Sequence, residues 1–132
     1  MANLILPVSN IYIGAFRVGR DPFREFAAGI DDRDWEFATC GMVVLEVCRG
    51  QRDPDLLARY RERFDVMVLI PTTRQIWARA AQLAWSLDRQ GRVIPAQDIL
   101  IAAHAIQAGA SVLTADADFQ QIPGLRVLER LG

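Results

Sequence analysis

The sequence predicts an α/β fold, a three-layer α/β/α arrangement around a mostly parallel central sheet of about five strands. Short apolar runs alternate along the chain with longer segments in which apolar residues recur at helical spacing. The short runs are apolar throughout, as expected of strands that helices cover on both faces. Strands that alternate with helices in this way are typical of a parallel sheet.

Five apolar runs are predicted to be strands. The first, Leu4–Leu6, is closed by Pro7. The others are Glu36–Cys40, Val66–Ile70, Ser111–Thr114 and Leu125–Leu128, the last of them at a sheet edge.

Cap residues and apolar periodicity predict six helices. They are Ile11–Val18 after a cap at Ser9 or Asn10, Phe23–Ile30 after Asp21-Pro22, Gly41–Arg49, a segment from Asp53-Pro54 to Arg63, a segment from Thr72 or Thr73 to Gln90, and Pro95–Ala108, stopped by Gly109. Trp77 and Trp85, eight residues apart on the fifth helix, are predicted to lie in the core rather than to form a base-stacking platform.

Length and composition predict one domain over residues 1–132 with a sizeable apolar core, since 52% of the residues are hydrophobic. The 15 cations, all arginine, nearly balance 16 acids. Arginine can bind phosphate through two parallel hydrogen bonds, so the composition does not exclude a nucleic-acid partner.

Cys40 and Cys48 form neither a zinc pattern nor a disulfide framework, which favours free thiols in a reducing cytoplasm. No signal peptide or run of about 20 apolar residues is evident, so no membrane association is expected.

Two acidic residues stand in apolar surroundings. Glu46 interrupts the apolar segment Met42–Cys48, and a buried carboxylate needs a partner. A salt bridge to Arg49 or an exposed helix face would also explain it. Asp98 falls in the first turn of an apolar helix, where an acid also complements the helix dipole. Neither residue decides a function alone.

Two more acids, Asp116 and Asp118, directly follow the fourth predicted strand. Acids there are often turn or cap residues. A parallel sheet, however, can bring them to one rim with Glu46 and Asp98. Clustered carboxylates repel one another unless a cation neutralises them, and hard oxygen ligands select Mg²⁺ or Mn²⁺. The chemistry that this arrangement predicts is metal-assisted hydrolysis of a phosphodiester.

In this order and spacing, these residues resemble the motifs of the PIN-domain ribonucleases, specifically the VapC-like toxins of type II toxin–antitoxin pairs. Four segments carry the resemblance, which spans almost the whole chain: Leu4–Ile13, Val44–Gly50 with Glu46, Asp98–Ala105, and Thr114–Phe119 with Asp116 and Asp118. The resemblance implies metal ligation by Glu46, Asp98 and Asp116, assistance from Asp118, and a supporting role for Ser9 and Asn10.

Val8 departs from the family pattern, because the first motif of the family has a metal-binding aspartate there. Valine cannot ligate a metal, so the departure concerns catalysis rather than fold. Three explanations are open: an engineered inactivating substitution, a natural homologue that has lost catalysis, or a site that tolerates the loss. The first two are favoured over the third.

The resemblance therefore implies a Mg²⁺-dependent endoribonuclease with a cognate antitoxin, or, alternatively, an inactive module of the same fold that binds antitoxin or RNA. Phosphate contacts would come from arginines, with Arg17, Arg20, Arg49 and Arg52 as candidates. A homodimer is expected, with the apolar faces of the second and fourth helices as its contact. His104 is interpreted as structural. A Rossmann-like nucleotide binder is rejected, because no glycine-rich loop follows the first strand.

Overall fold

A computed structural model describes residues 3–29 and 35–131. The strands are β1 (Asn3–Pro7), β2 (Trp35–Cys40), β3 (Val68–Ile70), β4 (Ser111–Leu113) and β5 (Arg126–Leu128). The helices are α1 (Ser9–Arg17), α2 (Pro22–Gly29), α3 (Gly41–Gly50), α4 (Pro54–Asp65), α5 (Arg74–Arg89) and α6 (Ala96–Ala108), and a 3₁₀ turn spans Ala117–Gln121. The predicted α/β/α architecture is confirmed.

The sheet has the strand order β3-β2-β1-β4-β5, and all its pairings are parallel. The chain winds outward from β1 to one side through β2 and β3, and then returns to the other side through β4 and β5. The strand order therefore reverses at β1. In open parallel sheets, binding sites lie beyond the carboxyl ends of the strands at such a reversal. The fold places the ends of β1 and β4 side by side at this point.

Several helix boundaries follow the predicted local chemistry. The Asp53 carboxylate accepts a hydrogen bond from the Asp55 amide at 2.9 Å and caps α4, whose first residue is Pro54. Thr73 caps α5 by accepting from the Ile76 amide at 3.3 Å. Gly109, with a φ of 69°, ends α6 in the left-handed conformation that glycine adopts without strain.

Among the predicted boundaries that are wrong, the starts of α1 and β3 have a local physical reason. Helix α1 begins at Ser9 itself, and the residue before it, Val8, makes no side-chain cap, so neither Ser9 nor Asn10 caps this helix. Strand β3 starts at Val68 rather than Val66, because residue 66 ends α4 with its amide bonded to carbonyls of that helix. The predicted helix end at Ile30 lies outside the described residues.

The prediction that Trp77 and Trp85 are core residues is also wrong. Their exposed fractions are 56% and 57%. Helix α5 packs mainly along α6, and the side chains it buries in that contact are Ile76, Ala80 and Leu87. Both tryptophans lie outside the buried face that these three residues form, so their apolar character alone did not predict their burial.

Helices α2 and α4 use their aromatic faces within the chain. The ring of Phe23 lies edge-on to that of Tyr60, with 5.0 Å between centroids, and Tyr12 lies edge-on to Phe26 and Phe64 at 5.6 and 5.1 Å. Edge-to-face contacts of this kind stabilise a core beyond the area they bury. These side chains are therefore already packed against each other, and a homodimer through the same faces remains a prediction.

Within residues 3–29 and 35–131, no helix is long and apolar enough to cross a membrane.

Candidate metal centre

Asp98 enters the site from the first turn of α6. The residues after it, Ile99, Leu100 and Ile101, are buried, and they fix this turn against the core. Asp98 itself is only partly buried. Its carboxylate is therefore held at the surface of the sheet end by a helix whose next seven side chains, residues 99–105, are buried.

Asp116 and Asp118 enter from the segment that follows β4. Thr114 is 1% exposed, and its hydroxyl accepts a hydrogen bond from the Asp116 amide at 3.0 Å. The Asp116 carboxylate accepts from the Asp118 amide at 2.9 Å, and Gln121 donates to the Asp118 carboxylate at 3.5 Å. These bonds form a tight turn that presents both carboxylates together. The roles of Thr114 and Gln121 in holding this turn were not predicted from the sequence. For Thr114 a signal was present, because a threonine at the end of a buried strand stands two residues before an acid.

The three aspartates meet. One carboxylate oxygen of each of Asp98, Asp116 and Asp118 lies within 4.8 Å of the other two. Burial, and after it the charges of Asp116, Glu46 and Asp118 in that order, together raise the pKa of Asp98 to about 6. A carboxyl group with such a pKa lies among other negative charges in a poorly solvated position, and this is the environment that a cation relieves.

Glu46 lies beside this cluster but outside the set of three. Its carboxylate on α3 accepts a hydrogen bond from the Ser9 hydroxyl at 2.8 Å, and Ser9 is 8% exposed. Arg20–Glu25 is the salt bridge found in the part of the chain that the structure describes, so Glu46 has no ion pair with Arg49 there. The partner of Glu46 is thus the first residue of α1, two positions beyond the end of β1, and the charge of Glu46 still acts on Asp98.

Val8 and Asn10, the neighbours of Ser9, are placed differently. Val8 is 2% exposed, and its amide donates to the carbonyl of Leu113, the last residue of β4, at 3.1 Å. A buried apolar side chain therefore occupies the junction between the ends of β1 and β4. Asn10 is exposed and lines a surface groove with Glu129 and Leu131. Its predicted supporting role stays a prediction without a contact that favours it.

His104 has the structural role that was expected. It is fully buried on α6, with Nδ1 2.7 Å from the Leu100 carbonyl oxygen and Nε2 2.7 Å from the Thr72 hydroxyl. Because a carbonyl can only accept, Nδ1 carries the proton and Nε2 accepts from Thr72. Burial lowers the pKa of His104, which favours this neutral form.

A deep groove lies elsewhere, among α1, α2 and α4. It has a volume of about 750 Å³. Its apolar lining includes Phe16, Phe23 and Tyr60, and its cationic lining is Arg20, Arg24, Arg59 and Arg63. The groove contains none of the clustered carboxylates, so it is a second surface feature rather than part of the acidic site.

Comparison with known proteins decides the family. The PIN domain family model matches residues 5–125. The chain belongs to the PIN domain family. It is 31% identical over 93 residues to ribonuclease VapC21 of Mycobacterium tuberculosis, an alignment that covers 67% of this chain and 66% of that relative. The aligned part is thus just under two thirds of the length of the curated relative.

Solved structures of similar fold include VapBC2 from Rickettsia felis bound to a promoter DNA fragment, with a TM-score of 0.78, 21% identity and coverage of 95% of this chain and 97% of that one. A toxin–antitoxin complex from Klebsiella pneumoniae matches with a TM-score of 0.70, 26% identity and coverage of 94% and 95%. These likenesses confirm the PIN fold that the motifs predicted. They concern the fold and assign no role to the individual carboxylates of this PIN domain.

Proposed function

We propose that this PIN domain is a metal-dependent endoribonuclease, the toxin of a toxin–antitoxin pair, which hydrolyses RNA phosphodiesters. The observation that carries the proposal is the cluster of Asp98, Asp116 and Asp118 at the point where the strand order of the sheet reverses. Its support from relatives is the similarity to a ribonuclease, VapC21. We further propose that residues 1–132 form one domain that acts in the cytoplasm.

The donor set fits a hard divalent cation, Mg²⁺ or Mn²⁺. The three aspartates offer carboxylate oxygens without a nearby thiol or imidazole ligand, and their mutual repulsion is the energy that a cation would relieve. Asp98 and Asp116 would hold the ion together with either Asp118 or Glu46. When bound, such an ion supplies an oriented water and stabilises negative charge on the phosphodiester.

The chain's own side chains set the protonation state and the geometry of the site. Near neutral pH and without a cation, a pKa of about 6 leaves Asp98 partly protonated, so cation binding releases a proton from its carboxyl group. The Ser9 hydroxyl fixes one oxygen of Glu46 and leaves the other free. Thr114 and Gln121 hold the turn that carries Asp116 and Asp118. Such supporting contacts orient the groups that hold the ion.

A second candidate function, an inactive PIN module that binds antitoxin or RNA, is favoured by Val8. Val8 is 2% exposed, so a buried apolar side chain stands where, as the resemblance implies, the family carries a metal-binding carboxylate. The two candidates differ in whether Glu46 and three aspartates are sufficient for cleavage.

RNA cleavage separates them. Purified protein is incubated with labelled RNA in Mg²⁺, Mn²⁺ or EDTA, as the natural sequence, as Val8→Asp and as Asp98→Asn. Asp55→Asn is the matched control, because Asp55 also lies in the first turn of a helix but is exposed and is not one of the clustered carboxylates. Metal-dependent cleavage that Asp98→Asn abolishes and Asp55→Asn preserves supports the nuclease. Cleavage by Val8→Asp alone supports a disabled nuclease, and no cleavage by either contradicts the nuclease proposal.

The proposed partners are RNA and a cognate antitoxin protein. Several proteins of similar fold were solved as toxin–antitoxin complexes. The groove among α1, α2 and α4 is lined by aromatic side chains and by four arginines against two acids, Asp21 and Glu62. This excess of positive charge suits a partner segment with apolar and acidic side chains. A cationic side chain of the partner would neutralise the carboxylate cluster, as the resemblance implies. A homodimer also belongs to this proposal.

A further inference from the structure

A smaller groove, which we call the C-terminal groove, lies between α1, α2 and the segment that follows β5. Its volume is about 410 Å³, and its lining includes Asn10, Gly14, Leu113 and Leu131. Concave sites of this size hold small molecules in many proteins. The C-terminal groove is therefore large enough to receive one small ligand or one group of a larger ligand.

One end of the C-terminal groove adjoins the carboxylate site. Asn10 directly follows Ser9, whose hydroxyl donates to Glu46 at 2.8 Å. Leu113 directly precedes Thr114, whose hydroxyl accepts from the Asp116 amide at 3.0 Å. The groove therefore begins one residue along the chain from two side chains that position the carboxylates of the site.

Gly14 keeps the C-terminal groove open. It lies inside α1, four residues after Asn10 and so on the same face of the helix, about 6 Å along it. Glycine in a helix interior costs about 0.5 to 1 kcal/mol relative to alanine. The φ of Gly14 is not positive, and a Cβ there would meet no atom within 4 Å. Neither the backbone nor packing requires this glycine, so its structural effect is an unobstructed groove.

The charges that line the C-terminal groove balance. Its cations are Arg20 and Arg130, and its acids are Glu25 and Glu129. The Arg20 guanidinium donates to both carboxylate oxygens of Glu25, at 2.8 and 2.9 Å, and this pair is neutral. A groove without net charge has little attraction for a polyanionic backbone, and it suits the uncharged part of a nucleotide, which is its base.

The remaining lining can hold a base. Ile11, Phe26 and Leu131 supply apolar surface for the faces of a flat ring. The Asn10 amide is exposed, and it takes part in no side-chain hydrogen bond found within residues 3–29 and 35–131. An amide presents an acceptor and a donor side by side, and the N6 donor and N7 acceptor of adenine match this pair.

We propose that the C-terminal groove binds the base of the RNA nucleotide next to the scissile phosphodiester, with Asn10 reading adenine through N6 and N7. This inference rests on the proposed ribonuclease function. The phosphodiester would lie at the carboxylate site, and the adjoining groove would receive the neighbouring base. Asn10 is then a specificity-determining residue, because sequence-specific recognition of single-stranded RNA reads the edges of unstacked bases.

Nucleoside binding in EDTA tests the groove without metal or cleavage. Adenosine, guanosine, cytidine and uridine are titrated into the isotope-labelled full chain, and nuclear magnetic resonance follows the side-chain amide of Asn10 and the backbone amide of Gly14. Adenosine should shift both signals and bind most tightly. Asn10→Ala should weaken adenosine binding about 5- to 100-fold and remove the preference among bases. Gly14→Leu, which fills the groove, should abolish binding. Ala28→Leu adds bulk to an exposed position of α2 outside the groove, and this control should bind as the natural chain does.

The outcomes separate a failure of the groove from a failure of the nuclease. If no nucleoside shifts the signals of Asn10 and Gly14 in the natural chain, the groove inference is wrong even when metal-dependent cleavage is found. Adenosine binding as expected, with no RNA cleavage by the natural chain or by Val8→Asp, supports the groove and contradicts the nuclease.

Two further arms test the source of the base and the role of Asn10. The trinucleotide UAU should displace adenosine from the groove. If adenosine and AMP bind there but the trinucleotide does not, the groove serves a free nucleotide and the inference is overturned. Asn10→Ala should leave Mn²⁺ affinity unchanged, and a loss of that affinity would assign Asn10 to the support of the carboxylates instead of to the base.

Discussion

Replacing Asp98 by asparagine should stabilise the metal-free protein at neutral and alkaline pH. In the folded chain, burial and three neighbouring carboxylates raise the pKa of Asp98 to about 6, from an ordinary value near 4. Folding therefore disfavours the ionised form. A difference of two pKa units corresponds to about 2.7 kcal/mol, and solvent screening of a partly exposed group reduces this to about 1 to 2 kcal/mol.

The sign of the pH dependence follows from linkage. Because the folded pKa is raised, the folded state binds the proton more tightly than the unfolded state, and the natural chain is relatively favoured below about pH 4. It loses this advantage as the pH rises from about 4 to about 6, and above about 6 the deficit is constant. Asparagine carries no charge, so Asp98→Asn gains its full 1 to 2 kcal/mol above about pH 6 and nothing below about pH 4.

Thermal unfolding in EDTA measures this effect. At about pH 8, Asp98→Asn should raise Tm by roughly 4 to 10 °C, and at about pH 4 the two proteins should unfold together. Burial also lowers the pKa of His104, which destabilises both proteins equally as the pH falls below about 6.5, so only the difference between them is interpreted. Asp55→Asn should give no gain at either pH. Equal Tm values for Asp98→Asn and the natural chain at about pH 8 would refute the inferred repulsion.

Three further predictions concern single residues. Val8→Asp adds a carboxylate in a buried position, so it should lower the free energy of unfolding in EDTA by about 1 to 3 kcal/mol, and Mg²⁺ should restore part of the loss. Urea unfolding with and without Mg²⁺ measures both effects, and an equal loss in the two conditions would contradict the prediction. Ser9→Ala removes the hydrogen bond to Glu46 and should weaken Mn²⁺ binding about 10-fold, whereas Ser9→Thr keeps a hydroxyl and much of the affinity; calorimetric titration distinguishes them, and equal affinities would exclude a positioning role. His104→Ala removes a buried ring with two hydrogen bonds and should lower the free energy of unfolding by about 2 to 4 kcal/mol. The Mn²⁺ affinity of the folded protein should not change, and a loss of that affinity would show that His104 acts on the site.

The sequence was informative where local chemistry decides the structure. Asp53, Thr73 and Gly109 mark helix ends through bonds or backbone conformations that lie within a few residues, and these predictions are confirmed. The positions of Asp98 and Asp116 followed from a topological rule about strand ends rather than from any pair of neighbouring residues. The family itself was predicted from the resemblance of four short motifs in order, and the PIN domain match confirms it.

Contacts between distant parts of the chain were less accessible. Glu46 was predicted to be a metal ligand, with a salt bridge to Arg49 or an exposed position as the alternatives. Its hydrogen bond with Ser9 was not predicted, because the parallel pairing of β1 and β2 brings the two residues together from 37 positions apart. The tryptophans of α5 were misplaced because an apolar residue on a helix is usually buried, and only the packing of α5 against α6 determines which face stays open. The start of β3 depends on where α4 ends. The apolar run Val66–Ile70 does not show that its first residue belongs to the end of that helix.

Metal binding by the aspartates tests the central claim most directly. Manganese is titrated into the natural chain, Asp98→Asn, Asp116→Asn and the Asp55→Asn control, and bound Mn²⁺ is measured by electron paramagnetic resonance. The account predicts a saturable site in the natural chain and the control that is weakened at least about 10-fold in each of the other two variants. Unchanged affinity in Asp98→Asn and Asp116→Asn, or no binding to the natural chain, would show that these carboxylates do not share a cation.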